Sequence, residues 1–488
     1  MGARAASRLE VAGLVLGPAL CAVALLLPGP AGMAPAAQRV LGLTLWMGTW
    51  WLSGAVALEV TSLLPILLLP LLGVRTIEQA TAPYANSIIF LFLGGFFIAA
   101  AMERWDLHKR IAFGILALVG TDARRVVLAF MLATAFLSMW ISNTAAAVML
   151  LPVGMAVLRL AREQEAAGAS RMQIAGLGKC IALGIAYAAS IGGVGTLIGT
   201  PPNAIYAAAA KQLYHADVGF GRWMASGVPV ALAVLPAVWL LLTRWLYPTS
   251  GPIPGLAERL HTERAALGTM RGNERLTFWV LVLTAAAWIM REPKDLGAFT
   301  IPGIQSALPA VSDSGIAIAA ALVLFTVPGS LARREFALDW KSAERVPWGI
   351  LLLFGGGLSL ADGFQSSGLS AWVGNLLSGL AGQPRVVVVA TVAATFVFLT
   401  DFTSNTAVAA MAMPLLAGIA QGLGQPPLLL MHVAALGCSM AFLLPVSTPP
   451  NALVFATGEI TVAQMAKAGI WVDLMSIAVL TVLGTWFL

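Results

Sequence analysis

The sequence predicts an all-α polytopic membrane protein: about eleven transmembrane helices, two re-entrant hairpins and an inverted internal repeat. Three observations carry that expectation. Charge is scarce: of 488 residues only 10% are Asp, Glu, Lys or Arg, 59% are hydrophobic, and the mean hydropathy is +0.88. A soluble domain carries about 25% charged residues, so this chain cannot clothe itself in charge against water. Apolar segments long enough to cross a bilayer recur along the whole length. Three short words inside those segments, two of them polar, occur twice in the same order. The same composition excludes disorder, coiled coil, collagen and a secreted disulfide scaffold.

At the N-terminus, Arg4 and Arg8 precede an apolar run from Val11 to Leu27, and Ala34-Pro35-Ala36 faintly resembles a cleavage site. A signal peptide has an apolar core of about 7–15 residues. This run is longer and further spans follow, so a retained first transmembrane helix is expected. The expected spans are 10–28, 38–52, 55–73, 84–103, 180–211, 226–246, 276–290, 313–329, 347–362, 428–457 and 468–487. Segments 126–160 and 386–420 are each long enough to go in and come back, and each has a polar centre. They are expected to be hairpins, a form tolerated only where protein or a water-filled cavity covers the tip.

Basic residues test this topology. With the N-terminus inside and both hairpins returning to their starting side, 21 of the 28 Lys and Arg fall in inside segments. That is the asymmetry the positive-inside rule requires. The C-terminus then lies outside. The polar stretch 248–275 becomes a cytoplasmic linker between two halves. The net charge of +6 is dispersed among loops, which argues against nucleic acid as a partner.

The repeat is the informative feature. Leu91-Phe92-Leu93-Gly94-Gly95 resembles Leu352-Leu353-Phe354-Gly355-Gly356. Ser142-Asn143-Thr144-Ala145 recurs as Ser404-Asn405-Thr406-Ala407. Thr200-Pro201-Pro202-Asn203-Ala204 recurs as Thr448-Pro449-Pro450-Asn451-Ala452. One such word is weak, since a lone Ser-Asn-Thr is usually a helix cap and a lone Pro-Pro a kink. Three in one order mark a duplication. The first hairpin enters from inside and the second from outside, so the repeats are inverted. That is the design of many secondary transporters, with substrate and ion sites at the midplane between repeats.

The chemistry of the words agrees. Ser142, Asn143 and Thr144 offer hydroxyls and an amide without charge. A helix starting at a hairpin tip presents free N–H groups toward an anion. Pro-Pro within an apolar segment interrupts its helix. Carbonyls near Gly195, Thr196 and Gly199, and from Pro445 to Ser447, are then free to ligate a small hard cation such as Na⁺.

These residues resemble the divalent-anion/sodium symporter family of sodium-coupled dicarboxylate, citrate and sulfate carriers. The motif residues are Ser138 through Ala145, Gly192 through Asn203, and the stretch from Ser439 through Phe442, Pro445, Ser447 and Asn451 to Val454. The resemblance implies an elevator-type homodimer, with scaffold parts 1–120 and 276–380 and transport parts 121–247 and 381–488. It implies one sodium site at Ser138, Ser142, Asn143 and Gly199, and a second at Thr400, Thr403, Asn405 and Ser447. Substrate carboxylates would meet Asn143, Thr144, Thr200, Asn405, Thr406, Thr448 and Pro450.

Two equivalent half-sites suit a ligand with two carboxylates. The leading expectation is therefore sodium-coupled symport of a C4-dicarboxylate such as succinate, malate or fumarate across a bacterial inner membrane. Sodium-independent dicarboxylate exchange and sodium/sulfate symport are the alternatives.

No enzyme is expected, because no GxSxG, HExxH or paired intramembrane aspartates are evident. Asp401, beside the second tip word, reads as an anchor for that tip, a capped carboxylate or a proton carrier. Glu59 reads as solvated. Trp46, Trp50 and Trp51 read as an interfacial belt. Cys21, Cys180 and Cys438 read as buried hydrophobes. His108, His215, His261 and His432 read as lying in or beside polar loops.

Overall fold

The computed structural model describes residues 8–163, 171–270, 272–295, 300–330 and 335–486. It is mostly helical. Two minimal antiparallel pairs, Lys294–Asp295 with Thr300–Ile301 and Pro328–Ser330 with Glu335–Phe336, are the sheet among the described residues. Among those residues seven helices are long and apolar enough to cross a membrane, and four apolar helices are shorter.

Both expected hairpins are present. In the first, Ala123–Ser138 turns through 139–142 into Asn143–Glu163. In the second, Arg385–Thr400 turns through 401–404 into Asn405–Leu423. The base of the first hairpin is fixed by Asp122. One of its carboxylate oxygens caps the helix at Arg124 N (3.1 Å) and the other accepts from Gly251 N (3.1 Å), tying the 248–275 linker to it. That linker contains a helix, Leu256–Ala266, which packs on the amphipathic helix Leu107–Val119.

Both Pro-Pro segments are interrupted where expected. Arg171–Gly193 and Pro201–Tyr214 are separated by 194–200, and Pro427–Gly437 and Pro449–Phe455 by 438–448. The prolines occupy the first turn of the second half-helix, where a missing N–H costs nothing. They start a helix as much as they end one.

Packing relates the repeats. The first half of each broken helix lies on the first arm of its own hairpin. It also lies on the second half of the other broken helix: Arg171–Gly193 with Pro449–Phe455, and Pro427–Gly437 with Pro201–Tyr214. First half on second half is the pairing of antiparallel segments. The second arm of each hairpin likewise packs on the second half-helix of the opposite repeat. All four breaks, tips included, are thereby drawn into one central region.

Three sequence readings change. Segment 55–73 is two short helices, Leu58–Thr61 and Leu64–Leu71, because Pro65 has no N–H to carry the first helix into the second and instead opens the second; Pro70 lies inside that second helix. Trp51 is buried and donates to Leu58 O (3.2 Å), and Trp46 meets Trp50 edge-on, so the three do not form one interfacial belt. His432 lies inside Pro427–Gly437, stacked on Trp223 at 4.7 Å with its Nε2 2.9 Å from Ser226 Oγ. His108 is buried beside Met102 O (3.0 Å). Apolar sequence around a histidine, more than its nearness to a loop, decided these two.

Candidate functional site

The first tip is tightly networked. Ser138, at the end of its helix, is buried and donates to Ala189 O (2.6 Å). One terminal atom of the Asn143 amide faces three oxygens: Ser138 Oγ at 2.7 Å, Ala189 O at 3.2 Å and Gly199 O at 3.3 Å. With its nitrogen there, the amide donates to all three. With its oxygen there, four oxygens lie clustered, the donor chemistry of a hard cation. The cluster therefore offers only oxygens on one amide orientation and closes by hydrogen bonds on the other. Glycines permit this closeness: a Cβ on Gly199 would fall 2.3 Å from Gly193 O, and one on Gly193 would fall 2.6 Å from the Asn143 amide.

Ser142 does not join that cluster. It is exposed and its Oγ accepts from Ala145 N (3.2 Å), capping the second arm. It lines a cavity of about 510 Å³ whose opposite wall includes Phe96, Glu103, Arg104 and Arg345. Thr144 is half-buried on the same first turn. Trp140, 8% exposed, stacks on Phe220 (6.2 Å), which stacks on Trp288 (4.3 Å). Phe220 N donates to Asp313 Oδ2 (2.8 Å), and Asp313 is ion-paired with buried Arg291 (2.7 Å), so the stack has a fixed base.

The second tip is looser. Thr400 Oγ1 donates to Phe396 O (2.8 Å) within its own helix, and Thr403 Oγ1 reaches back from the turn to Leu399 O (2.7 Å) of that helix. Ser404 Oγ accepts from Ala407 N (3.4 Å), a cap like that of Ser142. Asn405 Oδ1 is buried without a donor, and Thr406 is half-buried. Ser447 Oγ donates to Leu444 O (2.7 Å) and accepts from Asn451 Nδ2 (3.0 Å). Thr400, Thr403, Asn405 and Ser447 are thus near one break but not bonded to one another.

The unwound stretches are held by two asparagines that the sequence reading named as motif members but gave no role at the site. Asn203 Nδ2 donates to Gly193 O (3.0 Å) and Thr196 O (2.7 Å). Asn451 Nδ2 donates to Ala441 O (3.4 Å) and Leu444 O (3.1 Å). Under the repeat offset Gly193 corresponds to Ala441 and Thr196 to Leu444, so one clamp has been kept twice. Both asparagines are fully buried. Their place in the Thr-Pro-Pro-Asn words was the available signal. Thr200 and Thr448 are buried at the N-caps of the second half-helices. Thr448 Oγ1 accepts from Asn451 N (3.3 Å), and Pro450 is buried beside it. Thr196 Oγ1 donates to Met139 O, pinning the first tip to the first break.

Asp401 is an anchor: its Oδ1 accepts from Leu443 N (2.9 Å) in the second unwound stretch. It also lies within hydrogen-bonding reach of Asp473. Two intramembrane aspartates are therefore paired after all. They are 72 positions apart, which is why the chain order hid them. Both are fully enclosed, so no substrate chain reaches them as it would a protease dyad.

Comparison with known proteins matches this arrangement. The family model described as "Sodium:sulfate symporter transmembrane region" matches residues 9–488. The chain is 40% identical to the sodium-dependent dicarboxylate transporter SdcS of Staphylococcus saprophyticus over 481 residues, covering 98% of this chain and 91% of that protein. It is 40% identical to SdcS of Staphylococcus aureus (strain bovine RF122 / ET3-1) over 480 residues, with the same coverage. Among solved structures, the Alcanivorax borkumensis YdaH transporter aligns with a TM-score of 0.54 at 15% identity, covering 98% of this chain and 97% of that one, a likeness of fold alone. A family match over nearly the whole chain, carried by the repeated words and seated on paired breaks in apolar helices, leads to one assignment: this chain is an integral membrane protein of the sodium:sulfate symporter family, the divalent-anion/sodium symporters.

Proposed function

We propose that the protein is a secondary active transporter that moves a C4-dicarboxylate, such as succinate, malate or fumarate, together with sodium. The observation that carries this reading is the Asn143 cluster, where an amide, a hydroxyl and two carbonyls converge without a Lys or Arg. None of the 28 basic residues falls within the repeated words. A dianion held by neutral groups and helix N-termini needs compensating charge, and co-bound cations supply it. The naming of the SdcS proteins as sodium-dependent dicarboxylate transporters supports the same ion and substrate class.

In this reading sodium turns the Asn143 amide oxygen inward, onto Ser138, Ala189 and Gly199. The amide nitrogen then faces the cavity, where it joins Thr144 and the free N–H groups of the second arm in meeting one carboxylate. Asn405, Thr406, Thr448 and Pro450 form the corresponding half-site for the other carboxylate, and Thr200 completes the first. The cavity reaching Ser142 is the release path, with Arg104 and Arg345 at its mouth on the cytoplasmic side. Segments 121–247 and 381–488 move against the scaffold parts 1–120 and 276–380, as an elevator within a lipid-embedded homodimer. The N-terminus is cytoplasmic and the C-terminus outside, in a bacterial inner membrane.

Labelled succinate uptake into proteoliposomes under an inward sodium gradient tests the reading. Uptake competed by malate and fumarate is expected. Sodium-dependent uptake of labelled sulfate with no succinate uptake would redirect it to sulfate symport. Uptake requiring preloaded dicarboxylate, indifferent to sodium, would make it an exchanger.

A further inference from the structure

The helix Phe220–Leu240 follows the first broken helix and packs on its first half, Arg171–Gly193. Val194 lies just past the end of that half, so its carbonyl has left the helical ladder. The indole N–H of fully buried Trp223 donates to Val194 O (2.8 Å). Gly227, one turn further along the same helix, permits the close approach: a Cβ there would fall 2.2 Å from Val194 O. Neighbouring carbonyls have other partners. Gly193 O and Thr196 O accept from Asn203 Nδ2, and Gly199 O lies in the Asn143 cluster. Trp223 is thus a tether that reaches the unwound stretch from outside both the broken helix and the hairpin tip.

The second repeat seats this indole. His432, in Pro427–Gly437, stacks its imidazole on Trp223, with ring centroids 4.7 Å apart and planes inclined by 25°. Tyr206, from the second half of the first broken helix, meets the same imidazole edge-on at 4.9 Å. Ser226 Oγ lies 2.9 Å from His432 Nε2 and 2.9 Å from Trp223 O. A hydroxyl has one proton to donate. With that proton on Trp223 O, Oγ accepts from His432 Nε2–H, which fixes the ring's orientation over the indole.

We propose that Trp223 is a positioning residue for the sodium site at Asn143, and that His432 seats it from the other repeat. By holding Val194 O, the indole keeps the stretch 194–200 in the shape that brings Gly199 O to Asn143. Without the tether only a fraction of molecules hold that shape, and apparent sodium affinity falls by the same fraction. The inference rests on the sodium-coupled reading above. It ties the ion site of one repeat to a helix of the other.

The test is the half-saturating sodium concentration of the full chain. It is read from labelled-succinate uptake in proteoliposomes and from the sodium-dependent rise of the unfolding midpoint in detergent. Trp223→Phe keeps the stacked ring and loses the N–H. It is expected to raise that concentration roughly fivefold to thirtyfold, the effect of leaving one buried carbonyl without its donor, with maximal uptake retained at saturating sodium. Trp239→Phe removes an indole bond of the same helix to Arg124 O (2.9 Å) and should leave sodium affinity unchanged. Ser226→Ala frees the imidazole and should raise the concentration about threefold, with no further rise when combined with Trp223→Phe. It decides the matter if Trp223→Phe does not fold. Unchanged sodium affinity in Trp223→Phe, loss of maximal uptake alone, or an equal shift in Trp239→Phe overturns the positioning role. Additive shifts in the double variant overturn the part given to His432. Wild-type uptake and unfolding both indifferent to sodium would instead overturn the functional reading itself.

Discussion

At the first hairpin tip, Asn143 is gathered with Ser138, Ala189 and Gly199, Thr196 binds the Met139 carbonyl, and Trp140 is covered by Phe220. At the second, the threonine hydroxyls turn back on their own helix, Asn405 Oδ1 has no donor, and Phe402, the counterpart of Trp140, is 64% exposed. The residues that differ explain the contrast. Thr196 corresponds to Leu444, which cannot donate. Gly199 corresponds to Ser447, whose Cβ forbids the approach that Gly199 allows to Gly193 O. Met139 corresponds to Asp401, which exchanges an apolar contact for an anchor on Leu443 N. Duplication has kept the broken backbone and its asparagine clamp, and the side chains around each break have diverged. The first tip is closed onto its own broken helix through Asn143 and Thr196, whereas the second is held to its break by Asp401 on Leu443 N.

The largest expected effect is shared. Asn143→Ala and Asn405→Ala each abolish succinate uptake. Only Asn143→Ala should also lower the unfolding midpoint in detergent, because it strips a donor from buried carbonyls at about 1–3 kcal/mol. Equal destabilisation by both would erase the contrast between tips. Trp140→Ala should cost about 3–5 kcal/mol, as for a buried aromatic, while Phe402→Ala stays within about 0.5 kcal/mol, as for a surface site. The gap is read from the same unfolding curves. Gly199→Ala should cost about 1–3 kcal/mol through overpacking and remove uptake, with Ser447→Ala retaining transport. Similar losses in the two would mean that the breaks are equivalent. The smallest effect belongs to Thr403→Ala, whose hydroxyl serves only the end of the preceding helix at Leu399 O; sodium affinity shifted more than about threefold, beyond the worth of one weak hydrogen bond, would show that it ligates.

Sequence made the architecture legible because hydropathy, turn chemistry and repetition act locally. The hairpins at 126–160 and 386–420 follow from polar words in apolar runs. The broken helices follow from Pro201-Pro202 and Pro449-Pro450. Partnerships between distant segments were not legible. Asp473 has an ordinary context in the last helix until folding brings Asp401 to it. Ser142 shares its motif with Asn143 and yet points to the cavity, because one step round a helix start changes direction by about 100°. His432 and Trp51 were misplaced for the same reason, since their partners Trp223 and Leu58 lie elsewhere in the chain.

The central claim is that a site without Lys or Arg binds a dianion by recruiting cations. Labelled succinate uptake by wild-type proteoliposomes, with external Na⁺ replaced by K⁺ or choline at constant ionic strength, tests it most directly. Uptake should fall to background without Na⁺ and rise steeply with its concentration. Uptake unaffected by the replacement would contradict the account.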